Sequence, residues 1–428
     1  MSDYPSLIAK LTTPEVIAQF GYLYGNREGQ MLTQLNRYKA VLTRHEQAFN
    51  TAEKVYLISA PGRVEIGGNH TDHNRGRVLA ASANLDILAA VSPRDDMTIH
   101  ILSEGHEPLI VDIGQTDPVP GEEGTSEALV RGVATGMLAS GHAIGGFDAV
   151  MTSTVAPGSG LSSSAAYEVL VAAIFDRLYG TGDMDFVQQA KIGQRAENLY
   201  FGKPSGLLDQ MASAAGGLVT VDFRADEPAV TRLSYDFAAK GYALVVVATG
   251  GSHADLTADY AAIPAEMKAV ATCFGETVLR EVPPEVFRNG IPGLRGKVSD
   301  RAIMRAMHFF NENERVTQQV DALQRDDLQA FLWDIKESGR SSFEYLQNVW
   351  CKPEDQSLSL ALCMAEDLLG SEGAWRIHGG GFAGTTLNFV PTDRLEHFVA
   401  TMDAAFGEHS SHVLDIRPVG AYTLQINA

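Results

Sequence analysis

The run Ala156-Pro-Gly-Ser-Gly-Leu-Ser-Ser-Ser-Ala-Ala166 has the composition of an anion site. Gly158 and Gly160 let a backbone bend and approach a ligand closely, and Ser162, Ser163 and Ser164 would open a helix with N–H groups and hydroxyls directed outward. The Lys that a Walker A loop carries before its Ser or Thr is missing, and so is the G-x-G-x-x-G spacing of a dinucleotide turn. An ordinary Gly/Ser-rich helix cap has the same composition, so the run by itself leaves both readings open.

The elements around it follow from hydrophobic spacing. Alternation from Phe147 to Thr154 predicts a strand before the turn, and the pattern from Ser163 to Tyr179 predicts a helix after it. Lys54 to Ser59 reads as a strand that leads into Pro61-Gly62-Arg63. Val78 to Val91 and Met97 to Leu102 read as two more, separated by the charged turn Pro93 to Asp96. The polar stretch from Arg63 to Asn74 is thereby expected in a loop between strands. Ser126 to Ala139 has helical spacing with Gly141 to stop it, and a second helix from Asp185 to Leu199 runs into Glu197-Asn-Leu-Tyr-Phe-Gly-Lys-Pro-Ser-Gly-Leu-Leu-Asp-Gln210. Ser6 to Ala48 suggests outer helices and carries no motif.

At 428 residues the chain is too long for one ordinary core. Strand signals at Gly217 to Phe223 and Tyr242 to Ala248 bracket a boundary near residue 228, giving domains 1–228 and 229–428. The second half is helix-rich at first. It ends as helix (Leu358 to Leu369), glycine turn, strand (Thr385 to Val390), helix (Asp393 to Phe406) and strand (His412 to Arg417), an alternation that antiparallel strands with helices on one face would produce. The expected class is α+β.

Hydrophobic content of 45% and a mean hydropathy near zero are globular values. No apolar run has the length of a membrane span, the N-terminus has no basic-then-apolar leader, and a cytoplasmic, monomeric enzyme is expected. Cys273, Cys351 and Cys363 are odd in number and lack metal-ligand spacing, which predicts buried free thiols. A formal charge of −20 without a Lys/Arg cluster argues against nucleic acid. The same charge repels ATP, so a nucleotide site here needs local N–H donors, a few basic groups and a metal such as Mg²⁺.

Three motifs in order carry a resemblance. The central run is similar to the phosphate-binding motif of the galactokinase, homoserine kinase, mevalonate kinase and phosphomevalonate kinase (GHMP) superfamily. Ala60-Pro-Gly-Arg-Val-Glu-Ile-Gly-Gly-Asn-His-Thr-Asp-His-Asn74 resembles the galactokinase signature A-P-G-R-V-N-L-I-G-E-H-T-D-Y-N, and His378-Gly-Gly-Gly-Phe-Ala-Gly-Thr-Thr386 resembles the third motif, G-G-G-F-G-G-C-T. Three further stretches agree. Glu127 to Val133 resembles W-x-N-Y-V-K-G-V without its aromatic, Gly202 to Gln210 resembles G-x-P-C-G-I-M-D-Q with Ser205 for Cys, and Arg305 to Arg315 resembles R-A-x-H-V-x-x-E-N-E-R. The resemblance implies a two-domain GHMP kinase fold with the active site in the cleft between domains. It also implies ATP as co-substrate, Mg²⁺, and a sugar phosphorylated at its anomeric hydroxyl.

Residue roles come with the match. Asp209 corresponds to the catalytic aspartate, which a helix cap would otherwise explain, and Arg63 would sit beside it. Pro157, Gly158, Ser159, Gly160, Leu161, Ser162, Ser163 and Ser164 would cradle the triphosphate. Ser164 and Glu197 would hold the metal. Asn69, His70 and Asp72, with Gly206 and Tyr260, would meet the sugar. The family's Glu is replaced by Asn69, which keeps hydrogen-bonding capacity while removing a negative charge from the sugar pocket. That leaves galactose as the leading substrate, a sugar acid such as galacturonate as an alternative, and a catalytically silent sugar- and ATP-binding regulator as another.

Overall fold

The computed structural model describes residues 4–27, 29–51, 53–155, 160–203, 205–250, 256–350, 352–382 and 384–426. Twelve strands among them form two sheets. The larger contains β1 (Tyr56–Gly67), β2 (Arg77–Pro93), β3 (Thr98–Ser103), β4 (Leu109–Asp112), β5 (Phe147–Ser153), β6 (Leu218–Asp222) and β7 (Ala229–Leu233). The smaller contains β8 (Tyr242–Ala248), β9 (Ala374–His378), β10 (Thr385–Pro391) and β11 (Ser411–Leu414); the short β12 (Tyr422–Thr423) returns to pair with β1.

Strands β1, β2 and β5 read as nearly continuous apolar runs because both faces of the larger sheet are covered. Successive side chains point to opposite faces. Ile58, Ala89, Ala149 and Met151 pack with the helices Ser126–Ala139, Ser163–Tyr179 and Leu208–Ala215. Their neighbours Leu57, Leu88, Ala90 and Val150 pack instead with Phe20, Tyr24, Tyr38 and Leu42 of the N-terminal helices Pro14–Tyr24 and Gln30–Phe49. Those outer helices thus seal the second face. An ion-pair cluster pins them, with Arg37 and Arg417 on Asp86 and the Tyr24 hydroxyl donating to the same carboxylate at 2.7 Å.

The smaller sheet has the order β11-β8-β10-β9 and is antiparallel throughout. Helices were expected on one of its faces, and the structure corrects this. Leu244 and Val246 face Phe331 and Ile335 of the helix Leu328–Ser341, while Val245 and Val247 face Leu369, Phe398 and Met402 of the two helices Ser357–Leu369 and Leu395–Phe406. The first of these cores also takes in Val64, Ile66, Leu79 and Ala81 of the larger sheet, so the two sheets share packing.

Two sequence expectations shift in ways that bear on the site. Strand β1 does not stop at Ser59; it runs through Arg63 to Gly67, with register irregularities against β2 between Pro61 and Arg63 and between Glu65 and Gly67. Arg63 therefore stands on a strand and not in a loop. Strand β9, which carries His378 at its end, replaces what read as part of a glycine turn. The helices Ser126–Ala139 and Ser163–Tyr179 have the expected limits. Cys273 and Cys363 are free thiols but stand exposed, at a helix end and on a helix face, rather than buried, and Cys351 lies outside the described residues. No helix of the described residues is long and apolar enough to cross a membrane.

Candidate active site

Arg63 and Glu65, two residues apart on β1, present their side chains to one cavity of about 480 Å³. Its other walls come from His70 and Asp72 after β1, the start of the helix Ser163–Tyr179, the segment Lys203 to Asp209, Tyr260, and the glycine turn between β9 and β10. Elements of both sheets meet here, and the volume is that of a small-molecule site.

Asp209 lies in the first turn of the helix Leu208–Ala215. The Arg63 Nε donates to its Oδ1 at 2.7 Å, and the Ser162 hydroxyl donates to its Oδ2 at 2.7 Å. Burial pushes this carboxyl up, but Arg63, Ser162 and Lys203 outweigh burial and hold it below the ordinary aspartate value of 3.8. Ser162 adopts a left-handed backbone, φ 57°, just before the helix begins, a conformation a non-glycine residue keeps only where its surroundings enforce it. The Arg63 guanidinium also donates through Nη1 to the Gly160 carbonyl, and its own N–H reaches the Leu161 carbonyl at 2.9 Å. Gly160, at φ 70°, lies so close to the glycine turn that a Cβ would come 2.0 Å from the Thr385 hydroxyl. The start of the serine run is thereby fixed to both β1 and β10.

Within that run, Gly160, Ser162, Ser163 and Ser164 line the cavity, whereas Leu161 is fully buried in the core. Pro157, Gly158 and Ser159 lie outside the described residues. Ser164 donates to Glu197 Oε1 at 3.1 Å, and Lys203 Nζ donates to the same oxygen at 2.9 Å. Gln210 Nε2 holds the other oxygen at 2.8 Å and reaches Glu168 Oε2 at 2.9 Å. Burial, reinforced by the Glu197 charge, pushes Glu168 well above the usual carboxylate range.

At the opposite end, His70 takes a left-handed backbone and makes a 2.9 Å hydrogen bond from Nε2 to the Gly380 carbonyl, which leaves Nδ1 as an acceptor. Burial, then the neighbouring His73, lowers its pKa to about 4, so the ring is neutral at neutral pH. Asp72 lines the cavity against Gly206, where a Cβ would overlap its Oδ2 at 1.7 Å. Gly206 thus makes room for Asp72. Tyr260 lines the wall and donates to the Gly381 carbonyl at 2.7 Å.

Asn69 is the exception among the expected sugar contacts. It is fully buried one layer behind the cavity wall, and its amide is used up within the protein. Nδ2 donates to Glu65 Oε1 at 2.9 Å and to the Gly379 carbonyl at 2.7 Å, while Oδ1 accepts from Asn348 at 2.9 Å and Ser342 at 3.3 Å.

Several groups were not singled out from sequence. Glu65 carries a carboxylate on the cavity wall and is paired with the buried Arg376 at 2.8 Å. Burial pushes the Glu65 carboxyl up, opposed by Arg376 and then Arg63. The result is a carboxyl raised above its ordinary 4.5, with the Arg376 ion pair favouring its ionised form. His378 accepts the Glu65 N–H at 3.1 Å, which directs its other ring N–H to Thr385 at 3.1 Å; burial and Arg63 keep the ring neutral. Behind the signature turn, His308 bonds the Asn69 carbonyl and Glu312 takes the Gly68 N–H at 3.0 Å. The match of Arg305 to Arg315 to a family helix was the available signal for the last two. For Glu65, the signal was its own departure from the signature's Asn.

Known proteins place this arrangement. A family model described as the GHMP kinases N terminal domain matches residues 128–217, and the galactokinase galactose-binding signature matches residues 43–93. The galactokinase of Streptomyces coelicolor is 33% identical over 358 residues, which cover 83% of this chain and 89% of that protein. That of Glaesserella parasuis serovar 5 is 32% identical over 367 residues, covering 83% and 90%. The chain belongs to the galactokinase family. Among solved structures, Lactococcus lactis galactokinase complexed with galactose shares the fold with a TM-score of 0.78 at 23% identity, covering 89% of this chain and 98% of that one. Methanococcus jannaschii mevalonate kinase does so at 0.61 and 12% identity, covering 86% and 99%.

Proposed function

We propose that this protein transfers the γ-phosphoryl group of Mg-ATP to the anomeric hydroxyl of galactose, giving α-galactose 1-phosphate. The observation that carries the reading is the Arg63–Asp209–Ser162 cluster, set between a serine-rich helix start and a glycine turn in a chain of the galactokinase family. Phosphoryl transfer depends mainly on holding nucleophile and phosphate in line and on neutralising charge that spreads over the phosphoryl oxygens. Asp209 would accept a hydrogen bond from the anomeric hydroxyl. With its pKa held down it is a weak base, so it orients the hydroxyl and takes the proton late, as the oxygen's bond to phosphorus forms. Arg63 would keep Asp209 ionised and face the transferring group, with the Lys203 ammonium as a second positive charge. Ser162 to Ser164 and the helix they open would receive phosphate oxygens. His70, with its ring neutral, and Asp72 would hold sugar hydroxyls.

Mg²⁺ fits the residues present. Ser164 Oγ and Glu197 Oε1 are 3.1 Å apart, near the ~2.9 Å between adjacent corners of an octahedron with ~2.0–2.1 Å bonds. Among the described residues no group of three or more His, Cys, Asp or Glu side chains is placed to hold a metal. Lys203 now holds the same Glu197 oxygen, so Mg²⁺ would take the Ser164 and Glu197 oxygens in place of that ammonium and leave its other positions to phosphates and water. When bound, the ion would neutralise phosphate charge. We place the boundary between the two domains near residue 228; β6 and β7 lie on either side of it in one hairpin of the larger sheet.

ADP release from Mg-ATP with and without galactose tests the reading, with phosphorus NMR to show the product as the α-1-phosphate. Galactose-independent ADP release, or a product phosphorylated elsewhere, would overturn it.

A further inference from the structure

We propose that Glu65 is the residue that selects the sugar, with its second carboxylate oxygen accepting a hydroxyl of a neutral sugar and excluding sugar acids. The inference rests on the kinase reading above.

The signature this chain resembles has Asn where Glu65 stands and Glu where Asn69 stands, so the two side-chain types have changed places four residues apart. Replacement at position 69 alone would suggest a pocket that has lost a negative charge. The geometry points the other way. Asn69 has no free group, because both its amide hydrogens and its oxygen are bonded within the protein. Glu65 lines the cavity instead. Its Oε1 takes both Arg376 Nη2 and Asn69 Nδ2, at 2.8 and 2.9 Å. Its Oε2 has no hydrogen bond among the described residues and is not among the sealed, unpartnered polar atoms, so it opens to the cavity.

An ionised carboxylate oxygen is an acceptor only. It suits a hydroxyl, and it repels a carboxylate brought to the same place. The fully buried Arg376 donates to Oε1 and to the Ile66 carbonyl and makes no hydrogen bond to Oε2, which leaves that oxygen to accept from a ligand. Glu65 follows Arg63 by two residues on β1, which places the contact ~7 Å along the strand from the phosphoryl end. A hydroxyl on the part of the sugar ring away from the anomeric carbon would meet it. The competing account makes Glu65 only the counter-charge that Arg376 needs for folding.

The full-length protein, Glu65→Gln and Glu65→Asp are compared for ADP release with galactose and with galacturonate, alongside melting temperatures. The wild type is expected to favour galactose by about a hundredfold or more in kcat/KM. Glu65→Gln should raise the galactose KM about tenfold with a smaller change in kcat, and narrow the preference over galacturonate by about tenfold. Glu65→Asp keeps a charge beside Arg376 but draws it back from the sugar. It should hold the wild-type melting temperature and still raise the galactose KM. A folded Glu65→Gln or Glu65→Asp with unchanged KM and unchanged sugar preference would overturn the proposal, as would a wild type that uses both sugars equally well. Failure of the wild type to release ADP with galactose would sink the kinase reading instead. Calorimetric titration of galactose and galacturonate into the three proteins without nucleotide would still read Glu65 in that case.

Discussion

Arg63 Nε and Asp209 Oδ1 lie 2.7 Å apart across 146 residues of sequence, one on a strand of the larger sheet and the other in the first turn of a helix. Each side chain is rigid because a second contact fixes it, the Gly160 carbonyl for Arg63 and the Ser162 hydroxyl for Asp209. Replacing the carboxylate by an amide of the same shape should therefore leave the cavity in place. Asp209→Asn is expected to lower kcat by about a hundred- to ten-thousand-fold while galactose still binds by calorimetry. Near-wild-type turnover would remove Asp209 from the chemistry.

The same geometry sets a pH profile. Asp209 titrates below its ordinary 3.8 and His70 at about 4, so both have completed their ionisation changes by pH 5.5. Lowered values mean that acid converts Asp209 to its neutral form and His70 to its charged form only well below neutrality. The rate parameter kcat/KM for galactose should then show no limb from either group between about pH 5.5 and 8. A limb near pH 6.5 that disappears in His70→Gln would show the ring titrating as an exposed histidine.

Ser164 separates a metal ligand from a helix-start serine. If its hydroxyl binds Mg²⁺ beside Glu197, Ser164→Ala should raise the Mg²⁺ concentration needed for half-maximal rate about tenfold or more, and excess Mg²⁺ should restore much of the activity. A purely structural hydroxyl would behave differently, costing about 1 kcal/mol of stability with an unchanged Mg²⁺ requirement. Mg²⁺ titrations and melting curves on the same samples distinguish the two.

Glu312 ties acid stability to the sugar-side turn. It is fully buried, accepts the Gly68 N–H and the Ser338 hydroxyl, and pairs with Arg315. Burial pushes its carboxyl up, but Arg315, then His308 and Arg376, bring it down from 4.5 to about 2. A depressed folded-state pKa contributes stability that is complete above about 4.5 and is lost as pH falls through 2. The difference corresponds to about 3 kcal/mol. Glu312→Gln should melt at a lower temperature at pH 7, and its melting temperature should fall less steeply than that of the wild type between pH 5 and 2. Parallel curves for the two proteins would assign the acid sensitivity elsewhere.

Sequence spacing was enough for the helices Ser126–Ala139 and Ser163–Tyr179, which are apolar over most of their surface, buried on most sides and marked at their ends. Motif wording brought Arg63, Asp209, Ser162, Ser164 and Glu197 to one place, and the structure joins them. What was not legible depended on which way a strand's residues point and what lies behind them. Pro61 and Gly62 read as the end of a strand, yet β1 absorbs them as an irregularity in its pairing with β2 and continues to Gly67. That extension puts Glu65 on the wall and Asn69 behind it. Substitution logic applied to Asn69 alone could not anticipate this, because Arg376 and Asn348 arrive from more than 270 residues away. The second covered face of the smaller sheet was hidden for a similar reason: in Val245 to Val247 a run apolar on both faces shows no alternation.

Between its two irregularities, β1 is held in plain antiparallel register, with Arg63 opposite Ser82 and Glu65 opposite Ala80. That short segment acts as a ruler. One end carries the charge that would meet the reacting phosphoryl group, and the other carries the acceptor that would meet the far side of the ring. Their separation is one repeat of a pleat, ~7 Å, and does not depend on the length of any loop. Insertions in the turns around the site could change access or affinity without altering that interval. Redesign toward a longer or shorter acceptor would then have to relocate an irregularity in β1, whereas exchanging side chains along the existing segment would only change which group of a similarly sized molecule is recognised.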